Sequence, residues 1–278
     1  MRAGRIRVAG GTLETGWWGP GPGEAATLVL LHEGLGSVAL WRDVPALLAA
    51  STGWGVFAYS RFGYGDSTAT ALPRPMTYMH HEAEVVLPEV LRAAGIRRSV
   101  LLGHSDGGSI AAIYAGLSDA ALGHAALSDA ALGGAEPALL GLVTIAAHFI
   151  VEDVNIASIR QIKADYDSGP LRRRLARYHR DVDVAFRGWN DAWLDPRFRE
   201  FEITERLRGI RVPILALQGA DDPYGSVGQL HVFAANARAP IETRLIAGAR
   251  HSPHLEAKDA TLTAIAGFIA KLERGSST

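Results

Sequence analysis

Gly103-His104-Ser105-Asp106-Gly107 sets a polar serine among glycines where the chain changes character. Before it, "SVLLGH" is a short apolar run, and after it "GGSIAAIYAG" has an alanine-rich helical pattern. The pattern G-x-S-x-G at a strand-to-helix junction holds a serine hydroxyl out on a tight, strained turn. Only residues without bulk fit beside such a turn, and Gly103, Gly107 and Gly108 meet that need. A helix-capping role would account for Ser105 alone, but not for glycines on both sides of it. A serine hydroxyl is a weak nucleophile near neutral pH, so it requires a base, normally histidine, and a carboxylate that holds the histidine in one tautomer. Both types follow downstream: "LQGADDPYG" carries Asp221 and Asp222, and "AGARHSPHLE" carries His251 and His254. The order is serine, acid, histidine.

Elements that would position these groups alternate along the chain. Ile6 to Val8 and Thr12 to Trp18 read as an antiparallel pair around Gly10 and Gly11, and "ATLVLLH" as a fully buried strand. "WGVFAYS", "SVLLGH", "LLGLVTIAA", "VPILALQG" and "IETRLIAG" continue the strand series. Between them, "LWRDVPALLAA" and "MHHEAEVVLPEVLRAAGI" read as helices, and "DATLTAIAGFIAKL" as a closing amphipathic helix. The fold class expected is α/β, a mostly parallel central sheet with helices on both faces. From about His148 to Leu207 the pattern turns charged and aromatic, with "IASIRQIKADY", "PLRRRLARYH" and "DVAFRGWNDAWL" at helical spacing. That stretch is expected to form a helical cap over the carboxyl edge of the sheet, where open α/β sheets bind ligands. Residues 148–207 are thus assigned to a cap, inserted after the sixth strand, and 1–147 with 208–278 to a core domain. "LSDAALGHAA" from Leu117 is followed at once by "LSDAALGGAE" from Leu127, a local duplication read as a surface insertion.

This arrangement resembles the α/β-hydrolase fold superfamily over nearly the whole chain. "LLHEGLGSVALW" looks like that family's H-G-x oxyanion segment, "SRFGYGDS" like its R-G-x-G-x-S turn, and "RHSPHLE" like its histidine loop. The resemblance implies a cofactor-independent serine hydrolase with Ser105 as nucleophile, His251 as general base and Asp222, the second aspartate of the pair, as orienting acid. Asp221 is the alternative acid and His254 the alternative base. It also implies an oxyanion hole made by the backbone N–H groups of Gly34 and Asp106. Glu33 departs from the pattern, standing where many relatives have glycine. The elbow "SDGG" resembles that of the biphenyl-hydrolase-like valacyclovirases, in which the corresponding aspartate recognises an ammonium group. Asp106, with Glu33 nearby, would then favour a cationic ester; alternatively, Asp106 pairs internally, for instance with Arg61.

Trp189, Asn190 and Trp193 fall within one helical turn and are candidates to line an acyl pocket, or simply to pack the cap onto the core. Glu152, Asp153 and Arg160, and the basic run in "PLRRRLARYHR", read as solvated helix faces. The pairs His251/His254 and His80/His81 lack an acidic partner at metal-binding spacing, and no phosphate-binding glycine loop occurs, so neither metal nor nucleotide cofactor is expected. The chain of 278 residues contains no cysteine and carries a formal net charge of −1, which argues against disulfides, thiolate chemistry and a polyanionic partner. A soluble, cytoplasmic enzyme is expected, with a small ester-like substrate, no nucleic-acid partner and no membrane span. Two further readings stay open: an enol-lactonase or C–C bond hydrolase of aromatic degradation, and a non-catalytic binding protein on the same fold.

Overall fold

Strands β3 (Thr27–Leu31) and β4 (Gly55–Tyr59) are buried at every position, as strands covered on both faces must be. The computed structural model describes residues 1–117 and 137–275. An eight-stranded sheet is formed in the order β1-β2-β4-β3-β5-β6-β7-β8. The others are β1 (Arg2–Val8), β2 (Gly11–Trp18), β5 (Arg98–His104), β6 (Ala138–Ile145), β7 (Ile214–Gly219) and β8 (Ile241–Ile246). Pairing is antiparallel at β1–β2 and β2–β4 and parallel from β4 onward. Successive side chains of a strand point to opposite faces, so Val29, Leu31 and Leu101 join one core while Leu28, Leu30, Val100 and Leu102 join the other.

Helices cover both faces. α1 (Val44–Thr52) is shorter than the sequence pattern implies: Val38–Trp41 forms a separate 3-10 turn, and Arg42 adopts φ 54° between them. Pro45 explains the break, because a proline near a helix start is preorganised there but cannot extend a helix from behind. The expected helix from Met79 is divided as well, into α2 (Tyr78–His81), a wider π turn at Glu82–Val86, and α3 (Leu87–Ala93). Pro88 has no N–H for the carbonyl four residues back and its ring crowds it, so the preceding turn opens. α4 (Asp106–Ala115) follows β5 directly. The duplicated segment lies, from Ser118 on, outside the described residues.

Between β6 and β7 the chain is helical: α5 (Asp153–Ser168), α6 (Leu171–Leu175), α7 (Val182–Leu194), a 3-10 turn at Pro196–Glu200 and α8 (Thr204–Gly209). α7 buries Val182, Ala185, Phe186, Trp189 and Trp193, the three-and-four spacing of one helical face, and Phe186 stacks on Tyr166 of α5 at 3.6 Å between centroids. The basic run is helical only over α6, and two of its arginines pair at the surface there, Arg172 with Asp183 and Arg174 with Asp165. α9 (Gly228–Asn236), between β7 and β8, has no counterpart among the sequence expectations. α10 (Pro253–Glu256) and α11 (Lys258–Gly275) follow β8. Among the described residues no helix is long and apolar enough to cross a membrane.

Candidate active site

Ser105 occupies the first residue after β5 with φ 52° and ψ −120°, a strained conformation for a residue with a side chain. Its N–H donates to Ile145 O at 2.8 Å, which ties the turn to β6, and Gly108 N–H donates to Ser105 O at 2.8 Å. The turn is so tight that a Cβ on Gly103 would lie 2.1 Å from Gly107 O, and one on Gly107 would lie 2.0 Å from Leu31 O. The flanking glycines are therefore required by close backbone approach. Ser105 is 6% exposed, and the opening it faces is a cavity of about 160 Å³ also lined by Gly34, Asp106 and His251.

Of the two adjacent aspartates, Asp221 is exposed, whereas the Asp222 side chain is 1% exposed and lies beside His251. His251 Nδ1 is 3.0 Å and 2.9 Å from the two Asp222 oxygens. Tyr224 N–H donates to one of them at 2.8 Å and Gln218 Nε2 to the other at 2.6 Å. Burial works to raise the Asp222 pKa, but the His251 hydrogen bond and the Tyr224 N–H outweigh it and hold the carboxyl below its ordinary value. An ionised Asp222 requires the proton on Nδ1, which leaves His251 Nε2 as an acceptor. His254 takes a different place: it is buried between the rings of Trp41, at 5.1 Å, and His104, at 4.6 Å, and burial pushes its pKa well down.

The segment after β3 is pinned by polar contacts. His32 Nδ1 donates to Glu33 O at 2.7 Å, while His32 Nε2 accepts from Arg61 N–H at 3.0 Å; with desolvation by burial the largest cause, its pKa is well below the usual value. His179, from the loop between α6 and α7, accepts at Nδ1 from Gly65 N–H and donates from Nε2 to Leu35 O, each at 3.0 Å. The helical stretch between β6 and β7 is thereby tied to both the "SRFGYG" turn and the segment that carries Gly34. Glu33 lines the cavity, with its side chain 29% exposed and 3.4 Å from His104 Nδ1. Burial acts to raise its pKa, yet the His104 contact more than offsets this and keeps the carboxyl far below the ordinary range.

Asp106 meets the cavity too, but its carboxylate is fully enclosed. Tyr78 OH donates to Oδ2 at 2.6 Å, Trp193 Nε1 to Oδ1 at 3.2 Å, and Arg61 Nη2 lies 4.0 Å away. The internal pairing considered from the sequence is therefore present. Trp189 and Trp193 both line the cavity, whereas Asn190 turns from it and donates to Ile159 O at 3.1 Å. Glu152 caps α5 and bonds Ser226 and Gln229, and Asp153 pairs with Arg199, so neither contributes to the cavity. Leu35, His148, Ile159, Ile162 and Tyr224 also line it and were not singled out from the sequence. Tyr224 had a signal, since it follows Asp222 within the acid loop; the isoleucines carry none beyond helical periodicity. His148 Nε2 lies 3.0 Å from Tyr224 O, and burial lowers its pKa. No group of three or more histidines, aspartates or glutamates placed to hold a metal ion occurs among the described residues.

Residues 26–258 match the family model described as alpha/beta hydrolase fold. No curated protein matches the sequence. Solved structures do: proline iminopeptidase of Mycobacterium smegmatis aligns with a TM-score of 0.74 and 16% identity, covering 99% of this chain and 100% of that one. The enol-lactonase of Burkholderia xenovorans LB400 aligns with a TM-score of 0.69 and 16% identity over 96% of this chain and 100% of its own. A hydrolase from Pseudomonas aeruginosa PA01 aligns with a TM-score of 0.67 and 19% identity over 96% and 98%. At these identities the likeness concerns the fold.

Proposed function

Because the chain belongs to the alpha/beta hydrolase fold family, we propose that it is a serine hydrolase that cleaves a small, uncharged carboxylic ester through an acyl-enzyme. The observation that carries this reading is the meeting of Ser105, on its positive-φ turn, with the Asp222-oriented His251 at one cavity. His251 Nε2 takes the proton of Ser105 Oγ as the oxygen attacks the ester carbonyl carbon. Negative charge then gathers on the carbonyl oxygen, where the N–H groups of Gly34 and Asp106 stabilise it. Collapse of the tetrahedral intermediate breaks the bond to the alkoxy oxygen, which leaves as the alcohol with the proton from His251. Water repeats the sequence on the acyl-enzyme and releases the acid and the free serine.

Two features support a small, uncharged substrate. A cavity of about 160 Å³ is well below the ~300–1,000 Å³ of drug-sized sites, and Ile159, Ile162, Trp189 and Trp193 give it apolar walls. Of its two carboxylates, Asp106 at the elbow is already engaged by Tyr78, Trp193 and Arg61, which removes the negative charge that would hold an ammonium group beside the nucleophile. Among the described residues lining it there is no lysine or arginine to receive the carboxylate of a ring-opened acid, so the ester reading is preferred to C–C bond cleavage.

The test is hydrolysis of p-nitrophenyl esters of increasing acyl length, with amino-acid esters alongside, by the wild type and Ser105→Ala. Expected are turnover of short neutral esters above amino-acid esters, and a loss of about 10⁴-fold or more in kcat for Ser105→Ala. Equal wild-type and Ser105→Ala rates, with no labelling of Ser105 by a fluorophosphonate, would overturn the catalytic reading in favour of a binding protein.

A further inference from the structure

Arg61 opens the "SRFGYG" turn after β4, and its side chain is 1% exposed. Two arms of its guanidinium reach the segment after β3: Nη1 donates to His32 O, and Nη2 donates to Glu33 O at 3.1 Å. The Glu33 carbonyl also accepts from His32 Nδ1 at 2.7 Å and from Gly36 N–H at 3.1 Å, so three donors fix its direction. In a trans peptide C=O and N–H point to opposite sides. A Glu33 carbonyl held toward Arg61 therefore turns the Gly34 N–H away from Arg61, at a residue that lines the cavity. The same Nη2 lies 4.0 Å from Asp106 Oδ2, within a carboxylate that Tyr78 and Trp193 also hold.

We infer that Arg61 is a positioning residue for both oxyanion donors. It sets the Gly34 N–H through the preceding carbonyl and the Asp106 N–H through that residue's own side chain. The inference rests on the acyl-transfer reading, which makes those two N–H groups the oxyanion hole. A guanidinium suits the task because its planar fork donates to two carbonyls while its delocalised charge lies 4.0 Å from a carboxylate, whereas an ammonium acts from a single point. Arg61 also neutralises Asp106 inside the protein, where an unpaired carboxylate would distort the turn that bears the nucleophile. Donors aimed at a developing oxyanion act mainly in the transition state, so a disturbed latch lowers kcat more than it changes KM.

Arg61→Lys, which keeps the charge and loses the fork, is the informative variant; Arg61→Met removes both and risks unfolding. The full chain of each is compared with wild type for melting temperature, kcat and KM on a short neutral ester, the pH profile, and deuterium exchange of the peptide spanning Glu33 to Gly36. For folded Arg61→Lys the expected result is a fall of about 10²-fold in kcat with KM changed less than about threefold, an unaltered pH profile, and faster exchange in that peptide. A folded variant with kcat within about twofold of wild type, or one whose loss lies in KM alone, overturns the inference. Failure of the acyl-transfer reading is seen separately, as wild-type turnover that Ser105→Ala does not reduce. The exchange measurement then still decides on the latch, since unchanged exchange in Arg61→Lys rejects it whatever the activity.

Discussion

Asp222 accepts hydrogen bonds from three directions, whereas Ile159 and Ile162 meet the same cavity with hydrocarbon alone. The contrast holds for the two regions to which they belong. Loops at the carboxyl ends of β3, β5, β7 and β8 carry polar groups pinned by backbone and side-chain partners, as at Glu33 O, Ser105 N–H and Asp222. The helices between β6 and β7 contribute chiefly apolar surface from α5 and α7. On the proposed acyl-transfer reading, such a division lets the loop side set the reaction while the helical side sets which acyl group fits, because hydrophobic pockets tolerate changes that oriented polar groups do not.

The sharpest way to break this contrast is within the loop side, at two neighbours of the same type. Asp222→Asn is expected to lower kcat by about 10³- to 10⁴-fold, since the amide favours the wrong His251 tautomer, while Asp221→Asn stays within about twofold. Equal losses at both positions would remove Asp222 from its special place. The two aspartates also separate by pH. A carboxyl with a folded pKa below its unfolded value stabilises the fold fully above the unfolded value of about 4, and loses that contribution as pH falls through the folded one. Wild type should therefore shed stability below about pH 4 more steeply than Asp222→Asn, measured by thermal melting from pH 3 to 7.

Legibility in the sequence follows the same division. Ser105 and Asp222 stood out because each lies just past a buried strand, and a strand end flanked by glycine or by an acidic pair is a local signal; His251 follows the exposed last strand and stood out by its place after the serine and the acid. The sheet was legible for a related reason: β3, β4 and β7 are continuous apolar runs, the pattern of interior parallel strands. Helix boundaries were not, since Pro45 and Pro88 each divided a segment whose periodicity runs straight through it. The enclosure of Asp106 was legible only in its Arg61 partner. Its partners Arg61, Tyr78 and Trp193 come from three distant parts of the chain, and only the folded topology brings Tyr78 and Trp193 within hydrogen-bond reach. Ile159 and Ile162 carried no distinct signal because a helical residue lining a cavity and one packing a core share one periodicity.

The smallest expected effects concern two indoles one turn apart on α7, and they probe where the division ends. Trp193 Nε1 donates to Asp106 and lies 3.1 Å from Tyr78 OH, so this helical residue supports the loop side directly. Trp193→Phe leaves a buried acceptor without one donor, a loss of ~1–2 kcal/mol, and is expected to lower kcat about tenfold for every ester alike. Trp189 stands against the other proposed donor: a Cβ on Gly34 would lie 2.1 Å from its Nε1. If its part is to shape the apolar wall, Trp189→Phe leaves kcat within about twofold and moves the preferred acyl length upward, because a smaller ring leaves more room. A uniform fall in kcat across the ester series, with no change of length preference, would instead make the indole N–H a further donor to the oxyanion. The helical side would then take part in the chemistry at both of its tryptophans, and the separation between the region that reacts and the region that selects would no longer hold.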